Sequence, residues 1–106
     1  MKTAPKHLTD ASREWWRGVL ASFDLEDHHL RLLTLAAEAW DRGQEARETL
    51  AQDGAYYTNK NGEPRAHPAV AVERDARIAF ARLVRELDLD GYPEPDIRPP
   101  RIRSRT

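Results

Sequence analysis

The sequence predicts a mainly all-α chain: a short helix, a long helix, a small β-hairpin, a third helix and a disordered basic C-terminal tail. Three observations predict it. Apolar residues recur at three- and four-residue steps in three separate segments, which is the spacing of one helix face. A single Asn61-Gly62 turn lies between residues that favour strands. The last fifteen residues, "YPEPDIRPPRIRSRT", hold four of the seven prolines and four arginines.

Each element follows from its own residues. Residues 1–7 read as a flexible arm carrying Lys2 and Lys6. Thr9 is a good N-cap, and Asp10 behind it suits the positive end of a helix. Trp15, Trp16, Val19, Leu20 and Phe23 then form an apolar stripe, with Gly18 a slight weakness. "FDLEDHH" is a connector. From about Asp27 to Gln52, Leu30, Leu33, Ala37, Trp40, Ala46 and Leu50 mark a long helix, which Gly54 ends. Asp27 with Arg31 and Glu38 with Arg42 stand four apart in the favourable order, each pair contributing a few tenths of a kcal/mol.

Tyr56, Tyr57 and Thr58 favour strand, and a two-residue turn at Asn61-Gly62 would pair Lys60 with Glu63. Asn59 would then face Pro64 at a non-hydrogen-bonded position, where the missing N–H of proline does no harm. The hairpin occupies about residues 55–66. Pro68 suits the first turn of the third helix. Val72, Ala76, Phe80, Leu83, Val84 and Leu87 are its apolar face, and Glu73 with Arg77 is another favourable pair. The domain therefore spans 8–91, and residues 92–106 form a Pro/Arg-rich tail. Charge is segregated: Asp24 to Asp53 holds eight acids against three arginines, and Ile97 to Thr106 holds four arginines and no acid.

Bulk properties exclude several classes. The chain has 106 residues, one domain at most. Net charge is −1, so no whole-molecule field draws it to nucleic acid or membrane. The absence of cysteine excludes disulfides and thiolate metal sites and fits a reducing, intracellular setting. No apolar run approaches the ~20 residues of a membrane span, and the start lacks the apolar core of a secretory signal.

The residues "HLTDASREWWRGVLASFDLEDHHLRLLTLAAEAWDRGQEARETL" and "GAYYTNKNGEPRAHPAVAVERDARIAFARLVRELDLD" together resemble the short-chain family of small terminase subunits from tailed bacteriophages. The likeness covers roughly residues 7–90. It rests on an ordered set: the tryptophan pair, the Asp-Arg pair inside the second helix, the turn glycine, "HP" and "ERDAR" followed by Phe80 and "REL". The resemblance implies a helical subunit that assembles into a ring and recognises double-stranded phage DNA in the host cytoplasm. It implies recruitment or stimulation of a large subunit holding the ATPase and nuclease, with no catalysis and no cofactor of its own.

The residues support a non-catalytic reading independently. There is no GxxxxGK[ST], no HExxH and no nucleophile elbow. His28 and His29 are adjacent, so on a helix they should point ~100° apart and fail to share a face. His67 with Glu73 and Asp75 is a sharper metal candidate, but two carboxylates two residues apart on a helix diverge, and His67 before Pro68 reads better as a cap. No metal site is therefore expected.

Candidate DNA contacts are Arg98, Arg101, Arg103 and Arg105 in the tail, with Lys2, Lys6, Arg13 and Arg17 at the other end. The tail has two further readings: a solubilising segment, or a docking arm for the large subunit. Candidate subunit-interface residues are Trp15, Trp16, Trp40, Glu73, Arg74 and Arg77. Adjacent tryptophans should not both fit one small core, which leaves one for a neighbour. "ERDAR" is either an inter-subunit or a solvated charged face, and Gly43 either permits close helix approach or is incidental. No helix-turn-helix is visible, so direct base readout is not expected. A different class remains open, a helical dimeric DNA-binding regulator without a motor partner. A metal-dependent nuclease is a third.

Overall fold

The computed structural model describes residues 2–89; the tail predicted for 92–106 lies outside the described residues. Three helices are present, α1 (Asp10–Ser22), α2 (Asp27–Asp53) and α3 (Pro68–Leu87), with strands β1 (Tyr56–Thr58) and β2 (Pro64–Ala66) between α2 and α3. The caps explain the boundaries. Thr9 Oγ1 accepts from the Ser12 N–H at 3.2 Å and starts α1. Gly54 ends α2 at φ 86°, a conformation that favours glycine. Pro68 opens α3, where the lack of an N–H costs nothing.

α3 runs back along α2. Arg47 meets Glu73, Gly43 lies against Ala76, and Trp40 packs on Phe80. A Cβ placed on Gly43 would sit 3.5 Å from the Cβ of Ala76, an ordinary contact distance. The seam is built of small residues: Ala36, Ala37, Gly43, Ala46, Ala69 and Ala76 are all buried. Gly43 therefore belongs to the close approach of the two helices.

α1 caps one end of this pair. Trp16, Val19, Leu33, Ala37 and Leu87 form the core there, with Ala4 and Leu8 from the N-terminal segment. That segment differs from the expected free arm. Ala4 and Leu8 are buried, and the Arg13 guanidinium donates to the carbonyls of Lys6 and Leu8, each at 3.0 Å. It is tied down because a core this small gains from every apolar side chain it can cover.

Two predicted ion pairs do not form. Asp27 pairs with Lys2 at 3.4 Å and Glu38 with His7 at 2.7 Å, so the docked N-terminal segment takes the acids expected to bind Arg31 and Arg42. Glu73 and Arg77 do pair, at 3.3 Å.

The hairpin forms with its register shifted by one residue from that expected. Tyr56 faces Ala66, Tyr57 faces Arg65 and Thr58 faces Pro64. The cause is Asn59. Its side-chain Oδ1 accepts from the N–H groups of Asn61 (2.9 Å) and Glu63 (3.0 Å), and its carbonyl accepts from Gly62 N–H at 2.9 Å. The turn thus spans Asn59–Gly62, with Gly62 at φ 79°. This is a turn followed by a left-handed glycine, the geometry of a three-residue hairpin loop with a bulge. Pro64 still sits at a non-hydrogen-bonded position, opposite Thr58.

Candidate functional site

The three tryptophans separate cleanly. Trp16 is in the core at 4% exposure, and its indole N–H donates to Thr34 Oγ1 at 3.2 Å. Trp15 turns the other way, so that its ring lies 5.8 Å from that of Phe80. Trp40, from α2, lies 5.1 Å from Phe80 and keeps 41% of its surface exposed. The two rings are inclined to Phe80 by 50° and 55°. Together with Ala11 and Ser12 they bound a groove of 270 Å³. Of the expected interface tryptophans, Trp15 and Trp40 therefore share a surface and Trp16 does not. Phe80, read from the sequence only as part of an apolar face, is the residue that joins them.

Ser12, on the wall of this groove, belongs to a polar cluster with no sequence signal. Asp41 accepts from Thr9 N–H (2.9 Å), Thr9 Oγ1–H (2.7 Å) and Ser12 Oγ–H (2.6 Å). Ser12 is 2% exposed, the buried polar side chain among the described residues. Partial burial alone would raise the Asp41 carboxyl. The hydrogen bonds from Ser12 and Thr9, helped by the charge of His7 nearby, more than offset it and hold the group below its ordinary value. The cluster joins the start of α1 to the middle of α2 and so fixes where Trp15 stands relative to Trp40.

A second apolar surface runs along the opposite side of α3. Val72 and Ala76 border a groove with Ala39 and Arg42 of α2. It adjoins another formed by Ile78, Ala79 and Leu83. Ile78 and Phe80 are two residues apart, ~200° around a helix, so α3 presents different apolar surfaces on its two sides. Leu35, Val72 and Ile78 are each exposed.

The charged candidates divide by how their charge is already used. Glu73 accepts from both Arg47 and Arg77, each at 3.3 Å, and so ties α2 to α3. The Arg77 hydrogen bond lowers its carboxyl most, against desolvation, and the charge of Arg77 with the hydrogen bond and charge of Arg47 add to the lowering. Arg74 pairs with the neighbouring Asp75 at 3.3 Å. Arg13 is held by two carbonyls and by Asp10, and Lys2 by Asp27. Lys6 and Arg17 are exposed, with side chains that make no ion pair among the described residues. Arg98, Arg101, Arg103 and Arg105 lie outside the described residues.

Three of the four histidines stand at helix starts. His67 is the N-cap of α3: its Nδ1 accepts from Ala69 N–H at 3.0 Å, which leaves the proton on Nε2 to reach Asp53 at 3.1 Å. His28 and His29 correct the expectation that neighbours on a helix stay apart. Their ring centroids lie 4.0 Å apart with the rings inclined by 39°, and with Glu26 they offer ligand atoms within 4.8 Å of one another. At a helix start, side chains lean back toward the N-terminus, which gathers them. His29 Nδ1 accepts the Glu26 N–H at 3.3 Å, a capping contact, and the helix N-terminus opposes a bound cation. Glu26 and His29 thus form a capping box at the start of α2.

No helix among the described residues is long and apolar enough to cross a membrane. No curated protein matches the chain. No solved structure matches it. A family model described as "Phage terminase, small subunit" matches residues 12–97, starting later and reaching further than the likeness read from the sequence. That match covers most of the chain, with α1 from Ser12 onward, α2, the hairpin and α3, and the chain belongs to the phage terminase small-subunit family.

Proposed function

We propose that the chain is the DNA-recognition and regulatory subunit of a phage genome-packaging motor, acting without catalysis of its own in the host cytoplasm. In this reading it works as a closed ring of identical subunits, binds double-stranded phage DNA, and recruits or stimulates the large ATPase/nuclease subunit. Family membership carries the packaging role. What supports self-assembly is the pair of unlike apolar surfaces on either side of α3, one around Trp40 and one around Val72 and Ile78. Two different surfaces meeting head to tail form rings where the rotation closes, whereas a two-fold dimer uses one surface twice. The thin, alanine-rich seam supports it too, since so small a chain gains stability by burying exposed apolar area against copies of itself.

DNA contact is assigned to Arg98, Arg101, Arg103 and Arg105, assisted by Lys6 and Arg17. Arg13, Arg47, Arg74 and Arg77 are paired within the chain, Lys6 and Arg17 make no ion pair among the described residues, and the tail arginines are the densest run of positive charge in the sequence. Binding is then largely independent of sequence and steeply dependent on salt, with each phosphate contact adding about 0.9 to the logarithmic slope on duplex DNA. Native mass and DNA binding test the reading together. The expected results are an oligomer larger than a tetramer, and a flatter salt slope on two unrelated duplexes when residues 97–106 are removed. A monomer or a dimer at micromolar concentration overturns the ring. Unchanged slopes overturn the tail as the DNA contact.

A further inference from the structure

We propose that the outer edge of β1 pairs with β1 of a second copy of this chain, antiparallel and about a two-fold axis at Tyr57. The hairpin has two outer edges, and they are unlike. Asn59 N–H donates to the Glu63 carbonyl at 2.9 Å, and His67 N–H to the Ala55 carbonyl at 2.7 Å. Bonded and unbonded positions alternate along an antiparallel pair. Tyr57 is therefore bonded to Arg65, while Tyr56 and Thr58 turn their N–H and C=O groups away from β2. On β2 the outward groups belong to Pro64 and Ala66, and Pro64 has no N–H to give. The ladder can thus grow on the β1 side and is blunted on the β2 side. Every residue of both strands is exposed, with Tyr56 at 73% and Tyr57 at 50%. β1 also carries no charge, the common guard on an edge that stays single.

The strand's own chemistry selects a second β1 as the occupant. Around a two-fold at Tyr57, Tyr56 of each copy stands opposite Thr58 of the other. Both such pairs exchange N–H···O=C bonds in each direction, so every outward group of the two strands is used. A register centred on Tyr56 or Thr58 instead pairs one of them with Gly54 or Lys60, outside the strand. Tyr57 then faces Tyr57 of the second copy at a non-hydrogen-bonded position, where side chains come closest and aromatic pairs are favourable. The charges agree with the same register. Antiparallel pairing lays the tip of one hairpin beside the base of the other, so Lys60 stands opposite Gly54, next to Asp53. Lys60 is exposed and makes no ion pair among the described residues. The Asp53 side chain keeps 53% of its surface exposed beside His67. The two-fold brings each lysine to such an acid.

This contact is separate from those assigned to the ring. The hairpin joins α2 to α3 at the end of the pair away from α1, and it contributes no residue to the apolar surfaces around Trp40 or around Val72 and Ile78. The pairing does not rest on the ring reading. Strands of three residues hold weakly on their own, so the contact gains from repetition. Where subunits already form a ring, two-fold pairing of their hairpins joins two rings face to face, and each contact after the first is intramolecular.

The absence of cysteine makes the test direct. In full-length chain, Tyr57→Cys places two thiols across the two-fold at about 4.5–5.5 Å between Cβ atoms, close to what a disulfide spans. Two controls are oxidised beside it under the same mild conditions. Arg65→Cys carries its thiol on the blunted strand. Tyr57→Cys with Thr58→Pro removes an outward N–H and keeps the bonds inside the hairpin, because Thr58 faces Pro64 at an unbonded position. The expected result is an interchain disulfide that forms on the order of tenfold faster with Tyr57→Cys alone, as pairing raises the effective concentration. A rate equal to that of Arg65→Cys overturns the proposal. So does a rate unchanged by Thr58→Pro, with amide exchange at Asn59 showing that the hairpin of that variant survives. Native mass separates this contact from the ring. A ring of the same mass with and without Thr58→Pro overturns the pairing and leaves the ring. Rapid crosslinking of a species no larger than two chains keeps the pairing and overturns the ring.

Discussion

Removing the Asp41 carboxylate should unlock α1 from α2. Asp41→Ala deletes three hydrogen bonds at once, from Thr9 N–H, Thr9 Oγ1–H and Ser12 Oγ–H. The two Thr9 contacts are solvent-accessible, so each is worth about 0.5–1 kcal/mol. Ser12 is different, because its hydroxyl is buried at 2% exposure and loses its acceptor. Leaving such a donor unpaired costs about 1–3 kcal/mol. A helical serine can turn to the carbonyl four residues back. Here that carbonyl, of Leu8, already accepts from Arg13, so the relief is partial. The sum is about 2–5 kcal/mol, lowered by that relief. Asp41→Asn keeps one acceptor oxygen but sets its amide against the Thr9 N–H, and should cost about 1–2 kcal/mol. Urea denaturation read by helical circular dichroism measures both, at one fixed protein concentration because self-association shifts the midpoint. The double mutant Ser12→Ala, Asp41→Ala completes the cycle and should show a coupling of about 1 kcal/mol or more. If both single Asp41 variants fall within about 0.5 kcal/mol of the parent, or the coupling vanishes, the cluster does not hold α1 in place.

The same carboxyl sets an acid dependence. Its folded value is depressed, so its contribution is complete above the ordinary aspartate value of 3.8 and is lost as pH falls through the lowered one. Stability of Asp41→Asn should therefore lose part of the parent's fall in that acid window, checked by denaturant midpoints measured down the pH scale. Gly43→Ala should be neutral or stabilising by up to about 1 kcal/mol, since helix propensity improves and the added methyl meets Ala76 at an ordinary distance; a clear loss in thermal melting would show that the seam has no room. Gly62→Val should unravel the turn, because a β-branched residue resists φ 79°, with amide exchange rising at Tyr57 and Asn59 and little change in α1. His67→Ala should cost about 1 kcal/mol through the lost cap, seen as a lower melting temperature and faster exchange at Ala69.

The helices were legible because their signals are local. Thr9, Gly54 and Pro68 each act on the backbone within a few residues, and each stands where the sequence put it. The hairpin was legible in kind but not in register. Asn-Gly favours a two-residue turn, yet the side chain of Asn59 gathers two N–H groups from across the loop and moves the pairing by one residue. That choice depends on a side-chain contact that no pattern of strand formers encodes. The ion pairs failed for a related reason. Spacing predicts partners along one helix, and Asp27 and Glu38 were claimed by Lys2 and His7 from a segment distant in sequence.

The candidate site was half legible, and the missing half follows from the same rule. Trp15, Trp16 and Trp40 stood out by residue type, and the argument that neighbouring tryptophans diverge anticipated that Trp15 and Trp16 would face different ways. It did not anticipate that Trp15 would find its partner on α3 of its own chain. Phe80 reaches it because α3 returns along α2, and that return is set by the seam of Gly43 and Ala76. Asp41 was invisible because a lone acid on a long helix resembles a solvated one until Thr9 and Ser12 arrive from α1. The seam and the cluster thus do one job from two sides: the seam brings Phe80 up to Trp40, and Asp41 brings Trp15 down to both. A variant that loosens Asp41 should therefore change the exposure of Trp15 and Trp40 before it melts the α2–α3 pair. Acrylamide quenching that rises ahead of the loss of helical signal would establish that order. Coincident transitions would mean that α1 and the helix pair unfold as one cooperative unit, and that the groove has no independent freedom to open.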